Sequence, residues 1–325
     1  SCKGDCSTLA LARNGRKAYH AVNTMSSCLQ FSIILCTRNR AELLSRALES
    51  MLSLDFPAEK FELCLVDNGS TDATKTVVHA FAARAPFAVR YLFEGKPGLS
   101  IARNHGIQQA LGTYLFFTDD DQLVDPAVLR EHLRVAQTYN VRAVQGAIAL
   151  VFPEGQPAWL HGPLATILGQ TRDLEEGPSP IDIYGGNMVF RRDLFDELAA
   201  FREDLGKGAA GYSEDIELTR RLRQRQETIA YAPTARIFHV IGPDRSTARF
   251  LRDNSFDKGY SDGLIAKGSH LRLLGKSALK AYVHGWLALV MLPNRHRSVV
   301  EQTRAWDHAG RVLGLWKVRL NKAKT

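Results

Sequence analysis

The chain has 325 residues, 45% of them hydrophobic and 23% charged, with 42 Lys and Arg against 34 Asp and Glu for a formal net charge of +8. That length suits one large α/β domain, or one and a half domains of about 100–200 residues each, and the apolar share is enough for a proper core. Collagenous, low-complexity and disulfide-scaffold classes are excluded, and the sign of the charge says only that a partner is anionic: phosphates occur on nucleotides and lipids as well as on nucleic acid.

Residues 1–24 are basic and carry neither an apolar run nor a helical or strand period, so they are not a signal peptide. Residues 1–30 are expected to be a disordered leader, with Met25, just before the first strand, as the natural start. All five cysteines, Cys2, Cys6, Cys28, Cys36 and Cys64, lie in the first fifth of the chain without a CxxC pair. They form no zinc module or disulfide framework and fit a reducing, cytoplasmic setting.

From residue 31 strand and helix patterns alternate. Strands are predicted over 31–36, 61–66, 88–93, 114–118 and 143–151, and helices over 41–52, 71–84, 100–111 and from Pro126. Short joints between alternating elements imply α/β architecture: a mostly parallel, doubly wound sheet flanked by helices. The segment 152–180, rich in Pro, Gly and mixed charge, reads as a long connection with one short helix. A strand over 181–190, helices over 192–200 and 212–225, and a last strand over 228–240 complete the core, 31–245, with a nucleotide-binding half at 31–125 and an acceptor half at 126–245. Residues 246–325 read as a basic, mostly helical extension. They hold 15 Lys and Arg against 5 Asp and Glu, net +10, while the first 245 residues hold 27 against 29. The apolar run 281–292 is too short to cross a bilayer, which needs about 20 residues.

Ligands of an open parallel sheet bind beyond the carboxyl ends of its strands, and that is where the acids fall. Asp67 ends the second strand, and Asp119, Asp120 and Asp121 end the fourth. Singly they read as turn formers or helix caps; together, repelling one another on one rim, they call for a hard divalent cation that completes its shell with water and substrate phosphates. The Walker pattern GxxxxGK[ST] is missing, and the one run that fits the dinucleotide pattern GxGxxG, residues 206–211, follows an expected helix instead of the strand that pattern requires. What remains is a nucleotide diphosphate bound through metal.

Six motifs in order amount to a resemblance. They are the strand that runs into Thr37-Arg38-Asn39-Arg40, the turn Val66-Asp67-Asn68-Gly69-Ser70-Thr71-Asp72, Gly98 to Arg103-Asn104, Phe117-Thr118-Asp119-Asp120-Asp121, Gly185-Gly186-Asn187 to Arg192, and Ser213-Glu214-Asp215-Ile216-Glu217. Over residues 31–263 the chain resembles the family 2 glycosyltransferases of the GT-A fold. The resemblance implies sugar transfer from a nucleotide-diphosphate donor, a UDP-sugar being favoured, with inversion at the anomeric carbon and Mn²⁺ or Mg²⁺ as cofactor. By motif position Thr37 and Arg38 would lie against the nucleoside, Asp67 would accept from the base, and Arg103 would place a cation near the nucleotide. Asp119 and Asp120 would contact the ribose or the metal shell. Asp121 would be the main metal ligand, with Asp119 and His239 joining it. Asp215, with Glu214 second, would take the acceptor's proton, since a sugar hydroxyl is a poor nucleophile at neutral pH. Arg245, Arg249 and Arg252 are candidates to close over the diphosphate.

Ser213 stands where many members have Gly and Glu217 where many have Asp, so the acceptor-side loop is expected to differ, and the Gly-rich stretch 206–211 is a candidate lid. The acceptor would be a glycan, a lipid-linked or another hydroxyl, as in polysaccharide or glycoconjugate biosynthesis. Peripheral contact of the tail with the inner face of a membrane is a further expectation. The rival readings are a nucleotidyltransferase, which should show a glycine-rich basic fingerprint after the first strand, and a non-catalytic nucleotide-sugar-binding relative, which would lack the acids. A weaker rival is a basic nucleic-acid-binding protein; without a stripe of aromatic readers, no nucleic-acid partner is expected.

Overall fold

The computed structural model describes residues 29–171, 173–266 and 269–322. Most of the expected leader, with Met25, Cys2, Cys6 and Cys28, lies outside the described residues. Its last two residues are tied down: the Gln30 N–H donates to the Lys60 carbonyl (2.7 Å) and the Leu29 carbonyl accepts from Thr113 N–H (3.0 Å).

The elements run β1 (Phe31–Thr37), α1 (Ala41–Met51), β2 (Phe61–Asp67), α2 (Thr74–Ala82), β3 (Ala88–Phe93), α3 (Leu99–Gln109), β4 (Tyr114–Asp119), β5 (Gln122–Val124), α4 (Val128–Thr138) and β6 (Ala143–Val151). There follow α5 (Pro163–Ile167), β7 (Gly177–Pro178), β8 (Met188–Arg191), α6 (Leu194–Glu197), α7 (Glu214–Gln224), β9 (Ile229–Val240), α8 (Ala248–Leu264), α9 (His270–Val290) and α10 (Arg295–Lys322). β1 and β2 are buried along their whole length, which is why they read as unbroken apolar runs. In α1 the i, i+3, i+4, i+7 positions Leu44, Ala47, Leu48 and Met51 are the buried ones.

The strands form one sheet in the order β3-β2-β1-β4-β8-β6-β9-β5, with β7 paired to β9. The long neighbours β1, β2, β3 and β4, and β6 with β9, pair in parallel; β8, β5 and β7 run antiparallel to their partners. Cores fill both faces, and a third apolar cluster joins Leu160, Leu164, Leu168 and Ile241 to Leu251, Val299 and Val300. Register does the positioning: Thr37 lies opposite Asp67 and Cys36 opposite Asp119, so these residues end on one rim.

Three expected elements come out differently. The strand expected over 181–190 is reduced to β8, because Gly186 turns the chain at φ +102°. Ahead of it the backbone donors find side chains instead of a neighbouring strand: Ile183 bonds Thr219 Oγ1, Tyr184 bonds Gln145 Oε1 and Gly185 bonds Asp215 Oδ2 (2.7 Å). The helix expected over 192–200 is a single turn, since Leu198 is extended and the Ala199 and Ala200 carbonyls accept from Arg221. The run after Asp121, expected as loop, contains β5, whose Gln122 pairs with His239.

The extension from 246 is helical as expected, and it is packed into the molecule. Gly259 and Gly263 on α8 cross Gly310 and Gly314 on α10 at backbone contact: a Cβ on Gly259 would lie 1.9 Å from the Asp307 carbonyl oxygen, and one on Gly310 2.0 Å from that of Phe256. Only glycine permits that approach.

Candidate functional site

A cavity of about 610 Å³ opens on the carboxyl rim. Thr37, Arg38 and Arg40 enter it at and after the end of β1, the three acids at and after the end of β4, Glu214 and Asp215 at the start of α7, and His239 and Arg245 at and after the end of β9. Asn254 and Lys258 of α8 close one side, and Lys207, Gly208 and Gly211 of the Gly-rich loop another. Cys36 also lines it, but burial pushes its thiol up to about 12, so it is no nucleophile at neutral pH.

The three acids do separate things. Asp120 accepts from Thr37 Oγ1 (2.7 Å) and Arg40 (2.5 Å). Burial raises it to about 6, with Arg40 opposing and the neighbouring Asp121 reinforcing the rise. Asp121 accepts from Arg40 (3.1 Å) and Arg245 (2.7 Å), and its Oδ1 lies 3.5 Å from His239 Nε2. Burial alone would raise this carboxyl, but the guanidiniums of Arg245 and Arg40 hold it below the usual carboxylate range. Asp119 turns the other way, toward Arg103 (3.2 Å) and the Gln122 amide.

His239 is held in one tautomer. Its Nδ1 lies 2.9 Å from the Leu168 carbonyl, which can only accept, and its Nε2 lies 3.1 Å from Arg245, which can only donate. The ring is therefore Nδ1–H with a bare Nε2 aimed between Asp121 and Arg245. Backbone geometry builds this pair: β5 lies antiparallel to β9, and the Val240 N–H donates to the Asp121 carbonyl (2.9 Å).

This chemistry fits a divalent cation. A carboxylate oxygen and a bare imidazole nitrogen face one point where two guanidiniums, Arg40 and Arg245, now supply the compensating charge. Among the described residues no three His, Cys, Asp or Glu side chains are arranged to hold a metal by themselves. Two protein ligands completed by phosphate oxygens and water is a normal arrangement for Mg²⁺ or Mn²⁺ at a diphosphate.

On the other side of the cavity Arg103, buried, bonds Glu214 Oε1 (2.7 Å) and stacks 5.5 Å from the Phe201 ring centroid. Arg103 and Glu214 thus engage each other, which leaves Asp215 as the acid of the pair without a cationic hydrogen-bond donor. Among the described residues its oxygens accept from backbone N–H groups alone, those of Gly185 and Ile216 (both 2.7 Å). Burial, then the charge of Glu214, raises its carboxyl well above the usual range, as suits a general base.

Asp67 is placed apart from the cavity lining: it is buried, with its oxygens accepting from Ser70 N–H (2.8 Å) and the Tyr91 hydroxyl (2.7 Å), and Asn68 lines the cavity in its stead. Of the three arginines considered for closure only Arg245 lines the cavity; Arg249 points outward to Asp253 and Arg252 bonds Gln302. Arg40 and Lys258 were missed. Arg40 follows Arg38 by two residues and differs from it in nothing but where the strand ends, and Lys258 lies on a helix that only tertiary packing brings to the rim.

Comparison with known proteins agrees with the fold. The family model described as Glycosyl transferase family 2 matches residues 32–199, more than half of the chain. The succinoglycan biosynthesis protein ExoM of Rhizobium meliloti is 27% identical over 297 residues, covering 88% of this chain and 93% of its own. The mannosyltransferase PcManGT from Pyrobaculum calidifontis, solved with GDP-Man and Mn²⁺, superposes with a TM-score of 0.63 at 18% identity, covering 89% of this chain and 87% of its own. Staphylococcus aureus TarS with UDP-GlcNAc gives 0.53 at 17% identity over 90% and 92%. At such identities these two establish the fold alone. The rim of acids, the strand order and the family match together make the chain a member of glycosyl transferase family 2, a glycosyltransferase of the GT-A fold.

Proposed function

We propose that the chain transfers a sugar, with inversion and metal dependence, from a nucleotide-diphosphate sugar to an acceptor hydroxyl, with Asp215 as general base. The observation that carries this reading is the division of the acids across one cavity: Asp121 beside the bare nitrogen of His239 on one side, and Asp215 without a cationic donor on the other. Asp121 and His239 would hold the cation, and Asp119 and Asp120 the ribose or the metal's water shell. When bound, the cation supplies charge neutralisation for the departing diphosphate, with no proton needed by the leaving group.

The chain's own groups do the rest. With a cation held by Asp121, Arg40 and Arg245 would be able to turn from that carboxylate toward phosphate oxygens. Thr37 and Arg38 border the nucleoside, and a UDP-sugar is the proposed donor, in keeping with the UDP-GlcNAc bound by TarS. Asp215 removes the acceptor's proton as the new glycosidic bond forms, while Arg103 holds Glu214 aside. A glycan or lipid-linked hydroxyl, on the cytoplasmic side of a membrane, is the proposed acceptor, and the relative named for succinoglycan biosynthesis supports a glycan-building role.

Thermal-shift measurement with UDP- and GDP-sugars, with and without Mn²⁺, tests the donor side. Stabilisation by a nucleotide sugar that requires the metal and is lost in Asp121→Ala is the expected result; stabilisation indifferent to Mn²⁺ would remove the metal from the proposal. Asp215→Asn should bind the donor as the wild type does and lose at least about a hundredfold in turnover, the scale of a general base. Unchanged turnover would refute its role.

A further inference from the structure

The apolar run read in the sequence at 281–292 falls mostly on α9. The structure separates the two faces. Ser277, His284 and Ala288 turn inward, with His284 on Glu301 (2.6 Å) and the Ala288 carbonyl accepting from Ser298 (3.0 Å), both on α10. On the far side Leu279, Tyr282, Val283, Trp286, Leu289 and Val290 are between 43% and 67% exposed. At 3.6 residues per turn these six fall within an arc of about 120°. Lys276 and Lys280 line one edge of that arc and Arg272 lies just inside the same edge, and among the described residues none of the three has an acidic partner in an ion pair. α9 contains no Asp or Glu at all.

We propose that this face of α9 docks on an anionic lipid surface, with Tyr282, Trp286, Leu289 and Val290 among the acyl chains and Arg272, Lys276 and Lys280 at the headgroups. The proposal rests on the membrane setting proposed above and names its contact. Charge complementarity selects the occupant. A second copy of this face, which holds no acid, would leave the three cations without counter-charge, whereas phosphate headgroups neutralise them, and an apolar arc edged by cations with an aromatic pair is what an interfacial helix requires. No helix of the described residues is long and apolar enough to cross a membrane, so α9 lies along the surface rather than through it.

The test uses the full chain with vesicles of phosphatidylglycerol and phosphatidylcholine, and of phosphatidylcholine alone, in sedimentation and in quenching of tryptophan by brominated acyl chains. The chain is expected to sediment with the anionic vesicles, with quenching that Trp286→Phe removes. Lys276→Glu with Lys280→Glu should weaken partition at least about tenfold, on the usual scale for two charges at a lipid surface. Trp286→Glu with Leu289→Glu should abolish it while metal-dependent donor binding, read separately by thermal shift, stays as in wild type. These residues are exposed, so folding is retained and circular dichroism checks it. Equal partition of wild type and variants would overturn the proposal, as would a dimer in solution that the Glu variants dissolve in a chain with no affinity for vesicles. Loss of sugar transfer with vesicle binding intact would count against the enzymatic reading and leave this one standing.

Discussion

At the scale of residues, the site works by giving adjacent like charges different partners. Glu214 takes Arg103, and Asp215 is left to backbone donors beside a charged neighbour, so its folded-state carboxyl ionises above the ordinary range. A base must be ionised, so turnover should fall as pH drops through that raised value, placing the acid limb of kcat well above the range near pH 4 of a free carboxyl. The same shift has the opposite sign for stability. The folded state holds the proton longer than the unfolded one, so ionising Asp215 costs stability as pH rises through the window between the two values. In Glu214→Gln the neighbouring charge is gone and Arg103 is released, both of which lower Asp215; the acid limb should move to lower pH, and a limb that stays put would assign it to another group. His239→Ala removes the bare nitrogen and should weaken the apparent Mn²⁺ affinity seen in thermal shift with UDP by about tenfold or more. The acids themselves were legible in the sequence because strand ends announce the rim. Their partners were not: Arg40 and Arg245 reach Asp121 over separations of 81 and 124 residues, which no local pattern records.

At the scale of elements, the telling piece is the start of α7. Ser213 caps it at φ +71°, a left-handed conformation that costs a non-glycine residue about 1 kcal/mol or more. The departure from glycine noted in the sequence therefore sits where glycine would be at ease, and α8 supplies the compensation. The Ser213 hydroxyl donates to Asp262 (3.0 Å), a buried carboxylate that also takes Lys258 and Arg311 (both 2.9 Å). Burial would raise Asp262, but those cations and the Ser213 hydroxyl hold it low. Asp262 is thus a positioning residue: it reaches no substrate but anchors the turn from which Glu214 and Asp215 project. Asp262→Leu should lower kcat by about tenfold to a hundredfold with the donor KM little changed, the penalty of a misplaced catalytic group. Ser213→Gly should tolerate the wild-type background and restore much of the loss in the double variant, because glycine holds the left-handed turn untethered. Failure of that rescue, with only thermal stability lowered, would make Asp262 merely structural. The same helix pair carries Gly259, Gly263, Gly310 and Gly314, an i, i+4 pattern present in the sequence but unreadable there as a crossing, since it needs two helices far apart in the chain to meet. Gly310→Val would force the α8–α10 contact apart, and a fall in melting temperature of several degrees is expected, an effect of about 3 kcal/mol or more for an overpacked backbone contact.

At the scale of the molecule, the long parallel strands and their amphipathic helices were legible because their period is local. The short antiparallel strands β5 and β7 were not, because each exists only through the neighbour it pairs with, and β8 was legible only as the end of a longer strand. That difference bears on the boundary expected at residue 245, where charge changes from nearly balanced to strongly basic. Charge marks the surface of the C-terminal helices; their interior faces belong to the rest of the fold. Leu160, Leu164, Leu168 and Ile241 pack against Leu251, Val299 and Val300, and Asn254 and Lys258 line the cavity. Ending the chain after residue 247 would bare those four side chains, at about 1.5–3 kcal/mol each when fully buried. The sum is comparable to the whole stability of an ordinary domain, about 5–15 kcal/mol. The truncated chain is therefore expected to lose its cooperative thermal transition and its metal-dependent response to nucleotide sugars together. A sharp transition and wild-type donor binding in residues 1–247 would instead establish 31–245 as an independent unit and the three helices as an appendage. The basic surface and the catalytic rim would then be separable, whereas the packing described here makes α8 part of both.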